Sequence, residues 1–430
     1  MVVGLGTGWM LPRRHDTLRD VPRFEPFPGL RYDTTAVRLD QVVAPPYDVL
    51  SEQERQELAD RDGHNIVRVD LPLESDGPGR YHEAALLLER WRAEGTVIED
   101  ASPSFTLYRM AFTDEAGRAR ETVGVIGALE VIEPGRGHAS ANGALPHERT
   151  TPKASTDRLD LTRATRANLS PIWGLSLATG LTDLLLPPGQ PMGAVVDDDG
   201  VTHTVERIDD AARCRAISAA VGGQPVLIAD GHHRYGVSQD YRAEQRAEAD
   251  RLGASPPPDA PYDLTMAYVG ELVTDQLSVE PIHRLLDGLP ADRSWSEVLA
   301  PWFDASPAGP ATAALASSLT ERGALALVDR DGTATLLRPR PERFTDVRDL
   351  DSARLEHALT DVPHVLRYQH GVGNVLAALS HGEAQAAVLI RPVSVPEIEL
   401  TAREGLLMPP KSTFFTPKLR TGLVLRSLSS

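Results

Sequence analysis

The chain alternates between stretches of helical and of strand periodicity, and these switches predict its elements. Residues 80–94 (RYHEAALLLERWRAE) carry apolar positions at helical spacing, and Gly95 predicts their end. Residues 105–112 and 121–132 are β-type runs around an acidic, Gly-containing turn, which predicts a hairpin. Residues 192–208 place an Asp-Gly pair between alternating runs and predict a second one. Helices are expected over 157–168, 208–223 and from 234 up to Gly253, and strands over 224–230 and 263–272. Residues 42–50 (VVAPPYDVL) read as a strand end followed by a Pro turn. Ser51 with Glu54 then gives the capping-box signature of a helix start. Further on, 294–303 and 348–359 read as helices, and 324–338 as a hairpin with an Asp-Gly turn. Mixed segments of this kind predict an α+β (mixed α/β) protein, and 430 residues predict two or three packed units.

Composition narrows the function classes. Forty-four Lys and Arg against sixty-one Asp and Glu give a net charge of −17, which argues against a DNA-binding surface. Cys214 is the single cysteine, so an intrachain disulfide and a thiolate metal cluster are excluded; within its helical segment it reads as a packing residue. No apolar stretch is long enough to span a bilayer, and the N-terminal charges follow the apolar opening, the reverse of a secretory signal. A cytoplasmic location is expected, with no membrane partner. A homodimer is the default expectation among enzymes.

The chemistry concentrates in Asp230-Gly231-His232-His233-Arg234, where a buried strand runs straight into a helix. A glycine there turns the chain and lets a ligand approach the backbone. A helix start offers free N–H groups and a partial positive charge to an anion, phosphate above all. His233 and Arg234 add donors, and Asp230, at the C-terminal end of its strand, is placed to hold Mg²⁺. The bland alternative is a capped helix with a surface ion pair. The long polar loop around residues 136–158 is a second candidate. In it Glu148 has the chemistry of a general base, His147 that of its orienting neighbour, and Lys153 and Arg158 that of carboxylate or phosphate binders. Composition alone reads that loop as solvated. The C-terminal tail gathers Lys411, Ser412 and Lys418 in an otherwise acidic protein. A zinc set of His147, Glu148, His232 and His233 lacks H-E-x-x-H spacing and ranks low; Walker A and G-x-S-x-G motifs are absent.

Taken in order, VVAPPYDVLS, NIVRVDLP, LPHERT with the following K-x₃-DR, NLSPIW, IADGHHRY, PIHR and MPPKSTFFTPKL resemble a widespread bacterial and archaeal family known as a domain of unknown function. The resemblance runs from about Pro28 to Leu428. More distantly, P-H-E followed by a helix and a proline-led strand into D-G-H-H-R is similar to the ParB/sulfiredoxin superfamily, free-serine kinases in particular. That resemblance implies a ParB/sulfiredoxin-like core over 136–285. Around it lie a Gly/Pro-rich segment (1–30), an N-terminal α+β region (31–135), an appended α+β region (286–395) and a basic tail packing near the site (396–430). It implies Glu148 as catalytic base with His147 beside it, and Asp230 through Arg234 as the phosphate and metal loop. The activity it implies is a Mg²⁺-dependent kinase of a small hydroxylated metabolite, free L-serine first, with ATP or ADP as donor. Lys153, Arg158, Lys411, Ser412 and Lys418 are then the candidates for holding the acceptor. The alternatives are a phosphatase or nucleotide hydrolase using the same loop, and a ParB-like nucleotide-binding regulator without catalysis. The stretch from Glu148 to Asp230 is longer here than in the small kinases.

Overall fold

In this computed structural model the described residues are 22–114, 117–132, 144–146, 152–254, 257, 259–404, 408, 409 and 411–429, with the side chains of 144–146, 152–155 and 402 outside the description. Nine strands form the main sheet: β1 (Phe24–Glu25), β2 (Phe105–Thr113), β3 (Ala119–Glu130), β4 (Ala144–Pro146), β5 (Ile172–Ser176), β6 (Gln190–Val196), β7 (Thr202–Ile208), β8 (Val226–Asp230) and β9 (Leu264–Glu271). Their order is β4-β8-β5-β9-β3-β2-β7-β6, with β1 also on β3. Pairing is parallel at β4/β8 and β5/β9 and antiparallel elsewhere, so the sheet is mixed.

This sheet is covered on both faces, which is why its central strands read as near-continuous apolar runs. β3 is buried without interruption from Val123 to Leu129. One face packs Phe105, Leu107, Val125 and Ile228 against helix α3 (Ala211–Val221) and against Tyr235 of helix α4 (His232–Arg251). The opposite face packs Tyr108, Trp173, Leu227 and Tyr268 against Phe415, Leu419 and Val424 of the C-terminal tail. A separate core around Trp91 joins helix α1 (Arg80–Ala93) to Leu161 of helix α2 (Pro152–Thr165) and to Leu425.

Residues 282–390 build a second sheet from β10 (Ile282–Asp287), β11 (Phe303–Pro310), β12 (Leu325–Asp329), β13 (Thr333–Pro339), β14 (Val365–His370) and β15 (Ala386–Leu389), in the order β11-β13-β12-β15-β10-β14. The fold is therefore α+β, as the alternating periodicity predicts. The chain then returns: Phe414–Thr416 pairs with Ser278–Glu280, and Leu425–Ser427 pairs with Gly29–Tyr32 and Ala167–Asn168.

All three expected hairpins and the capping box form, Ser51 accepting from the Glu54 N–H while Glu54 accepts from that of Ser51. Three segments differ. The helix expected over 157–168 runs over Pro152–Thr165, and Ala167–Asn168 is a strand. Leu39–Val42 is a single helical turn that buries Val42, and only Ala44 makes a β-bridge, to Thr421. In 294–303 the helix stops at Leu299 and Phe303 already opens β11. A short apolar run carries too few residues for its period to discriminate, so tertiary partners decide. Among the described residues no helix is long and apolar enough to cross a membrane.

Candidate functional site

β8 is buried through Ala229 and ends at the partly buried Asp230. Gly231 then adopts φ +84°, a conformation that L side chains avoid, and α4 starts in the next residue. A Cβ on Gly231 would lie 3.0 Å from Arg234 Nε, so glycine also makes room for that guanidinium. His232, His233 and Arg234 thus form the first turn of a twenty-residue helix, at its partly positive end.

Asp230 is gripped from two sides. Lys418 Nζ donates to Oδ1 at 2.8 Å and Arg234 Nη2 donates to Oδ2 at 2.8 Å. Arg234 Nη1 also donates to the Pro171 carbonyl, which ties the turn to the NLSPIW segment. Burial by itself pushes the Asp230 carboxyl up, but Lys418 and then Arg234 more than offset it and hold the group well below the usual carboxylate range. Asp230 is therefore an anion at any physiological pH. Burial alone would lower Arg234, but Asp230, Asp48, Tyr47 and Asp70 hold it above its ordinary value.

A second polar cluster lies behind Arg234. Arg158 of α2 donates through Nη1 to the Asp70 carbonyl at 2.5 Å and through Nη2 to Asp157 Oδ2 at 2.6 Å; its guanidinium lies 4.2 Å from the centroid of the Tyr47 ring. Asp157 Oδ1 accepts from the Tyr81 hydroxyl at 2.7 Å. Asp70 is buried, and burial raises its pKa despite the opposing pull of Arg158. The Tyr47 phenol is pushed up to about 12 by burial. A cavity of about 40 Å³, lined by Asp70, Arg158, Thr162, Asn168, Ser170 and Arg234 among others, opens here. It has room for a few water-sized molecules.

The tail supplies the remaining wall. Phe415 packs on Trp173 with ring centroids 5.7 Å apart, which places Lys418 over Asp230. Lys418 Nζ also lies 4.4 Å from the centroid of the Phe414 ring, and His370, the last residue of β14, stacks on that same ring at 4.7 Å and 11°. Ser412 is buried, its hydroxyl donating to the Pro409 carbonyl at 2.7 Å and lying 3.0 Å from Ser352 Oγ. Lys411 is exposed, with φ 56°.

Of the residues expected from sequence, Asp230, Gly231, Arg234 and Lys418 come together directly, with His232 and His233 on the adjoining turn. Arg158 joins through Asp70 and Tyr47, its donors engaged by carboxylates and a carbonyl. His147 and Glu148 lie outside the described residues. Lys153 falls in the first turn of α2, its side chain likewise outside the description. The backbone on either side is informative: β4 runs parallel to β8, with Pro146 opposite Ile228. The chain therefore leaves β4 toward His147 at the same end of the sheet at which β8 delivers Asp230. Among the described residues no group of three or more His, Cys, Asp or Glu is arranged to hold a metal.

Sequence reasoning about chemistry missed Tyr47, Asp48, Asp70, Asp157, Phe414 and His370. The signal for the first three was present, since Tyr47 and Asp48 sit in APPYDV and Asp70 in NIVRVDLP; only their convergence on Arg158 and Arg234 gives them a role.

A family model described as "Protein of unknown function (DUF1015)" matches residues 24–353, about three quarters of the chain. No curated protein matches it. Similar solved structures include a free serine kinase in complex with AMP, at 15 % identity, with 65 % of this chain and 88 % of that one covered and a TM-score of 0.33. Another is SbnI with a C-terminal truncation from Staphylococcus aureus, at 12 % identity, 70 % and 87 % coverage and a TM-score of 0.36. A third is a conserved hypothetical protein from Pyrococcus furiosus, at 14 % identity, 65 % and 92 % coverage and a TM-score of 0.34.

Proposed function

The chain belongs to the DUF1015 family, and we propose that it is a phosphotransferase that binds ATP or ADP and transfers a phosphoryl group to a small hydroxylated metabolite, free L-serine first among the acceptors. The observation that carries this reading is the parallel register of β4 and β8. It sets Pro146, the last described residue before His147 and Glu148, at the same end of the sheet as the D-G-H-H-R turn, although about eighty residues of chain separate them. Serine as acceptor follows from the resemblance of those two segments to free-serine kinases.

In this reading the Gly231 turn and the first turn of α4, with His232 and His233, receive the phosphates. Lys418 exchanges its contact with Asp230 for one with a phosphate oxygen, and Phe414 keeps the ammonium in place meanwhile. Arg234 acts through Asp230 and the Pro171 carbonyl, holding the turn in shape. Arg158 fixes α2 against Asp70, and Lys153 and Lys411 are the residues assigned to the carboxylate of the acceptor. Glu148 takes the proton of the acceptor hydroxyl as its oxygen attacks the terminal phosphorus, and the nucleotide leaves with the bond it loses.

The donor set fits Mg²⁺ of one kind only. Among the described residues Asp230 is a single, ionised hard-oxygen ligand at this turn, which suits an ion arriving with phosphates and not one caged by protein. When bound, that ion neutralises phosphate charge.

The test incubates the protein with ATP or ADP, Mg²⁺ and pooled hydroxy amino acids and looks for a phosphorylated amino acid by mass spectrometry. Phosphoserine is the expected product. Glu148→Gln should abolish it while nucleotide affinity stays within about threefold of wild type; Asp230→Asn should weaken nucleotide binding. Nucleotide release of free phosphate with every acceptor, and no phosphorylated product, would refute the kinase reading in favour of a hydrolase.

A further inference from the structure

The ion pair at Asp230 is joined by contact to a pair of stacked rings, the half-buried Phe414 of the tail and the exposed His370 of the second sheet. His370 ends β14, and its backbone is fixed there by pairing with β10, Ile282 lying opposite it. Its carbonyl accepts from the side chains of Asn374 at 3.2 Å and Gln369 at 3.4 Å. The imidazole lies nearly parallel to Phe414, stacked 4.7 Å from its centroid, and yet His370 remains exposed. Phe414 carries Lys418 as well, and Lys418 reaches Asp230. A flat exposed ring, anchored at its backbone and backed by a second ring, thus stands one lysine away from the carboxylate.

We propose that His370, backed by Phe414, is the platform on which the base of a purine nucleotide stacks, with its phosphates running past Lys418 to the Gly231 turn. The proposal rests on the reading of that turn as a phosphate site and extends it to a residue of the second sheet. Stacking asks only for a π-face, and a purine offers more of one than a pyrimidine. A ribose and two phosphates bridge the kind of gap that the Lys418 side chain spans here. The second sheet then supplies base affinity while the main sheet supplies the phosphate contacts, and binding a nucleotide holds the two together.

Titration calorimetry with ADP, CDP and inorganic tripolyphosphate, each with Mg²⁺, tests this in wild type, His370→Ala and His370→Tyr. His370 is exposed, so its replacement spares the cores. The expected result is that His370→Ala loses about tenfold in ADP affinity, the lower end of what one base stack supplies. Tripolyphosphate affinity should stay unchanged, His370→Tyr should restore ADP, and ADP should bind wild type more tightly than CDP. Unchanged ADP affinity in His370→Ala overturns the platform while leaving the phosphate site standing. An equal loss for ADP and tripolyphosphate also overturns it, since His370 would then act through Lys418. Failure of wild type to bind either ligand removes the underlying phosphate reading, and the platform with it.

Discussion

Lys418→Met is the most direct probe of the site's electrostatics. Lys418 Nζ and Asp230 Oδ1 are 2.8 Å apart, and their side chains are 18 % and 23 % exposed. Two unit charges at that distance attract by about 1.5 kcal/mol in bulk water and about 6 kcal/mol at an effective dielectric of about 20. Partial exposure and the cost of desolvation place the net coupling at about 2–3 kcal/mol. The measurement is a double-mutant cycle of Lys418→Met and Asp230→Asn, read by urea unfolding at pH 7, with m-values compared across the four proteins. The pH dependence supplies a second criterion. The folded-state pKa of Asp230 is depressed, chiefly by Lys418 once burial is overcome, so its stabilisation is present above the unfolded value of about 3.9 and is lost as pH falls below it. Removing Lys418 raises that pKa, so the gap between wild type and Lys418→Met should narrow as pH falls from 5 to 3. A coupling under about 0.5 kcal/mol, or a gap that widens in acid, would show that Lys418 does not hold this carboxylate ionised.

Three further outcomes are expected. Gly231→Ala should cost about 1–2 kcal/mol, because it forces φ +84° on an L side chain and crowds Arg234 Nε, and Gly231→Asn should cost less; equal melting temperatures for alanine and wild type would contradict the strained turn. Arg158→Met should lose about 3–5 kcal/mol in chemical unfolding by leaving Asp70 buried without its main partner, with part regained on adding Asp70→Asn; a loss under about 1 kcal/mol would mean Arg158 is free for a ligand. His283, buried in β10 and accepting from the Ile390 N–H, is lowered to about 4 by burial and then by the nearby Arg284 and His370. Its folded pKa lies below the unfolded value of about 6.5, so its stabilisation is complete above pH 6.5 and falls away toward pH 4. His283→Gln should therefore remove about 2 kcal/mol of the stability change between pH 7 and pH 5, and an identical pH profile for the variant would overturn the assignment.

Local chemistry was legible in the sequence wherever neighbours along the chain settle it. The Ser51/Glu54 box, the Asp-Gly hairpin of β6 and β7, and the strand-Gly-helix junction at 230–232 are each decided within a few residues, by a side chain that reaches back or a glycine that accepts positive φ. The strand end expected at the start of 42–50 and the helix expected over 294–303 differ in the fold because their ends depend on what lies opposite: Thr421 for Ala44, and Pro339 for Phe303. Arg158 shows the same limit in the site. As a residue type in a polar loop it suits an acceptor's carboxylate, but folded it meets Asp70, eighty-eight residues away.

By itself, then, the sequence determined the α+β class, the turn that presents Asp230, and a set of motifs whose order marks the family. Only the tertiary structure decided which of those motifs meet. The returning tail brings Lys418 to Asp230 across 188 residues, the parallel pairing of β4 with β8 sets Pro146 and Asp230 at one end of the sheet, and β14 carries His370 onto Phe414. Periodicity records which face of an element is buried. The neighbour that buries it is chosen by how all the elements pack at once, and a charge acquires its partner, and its pKa, only after that choice is made.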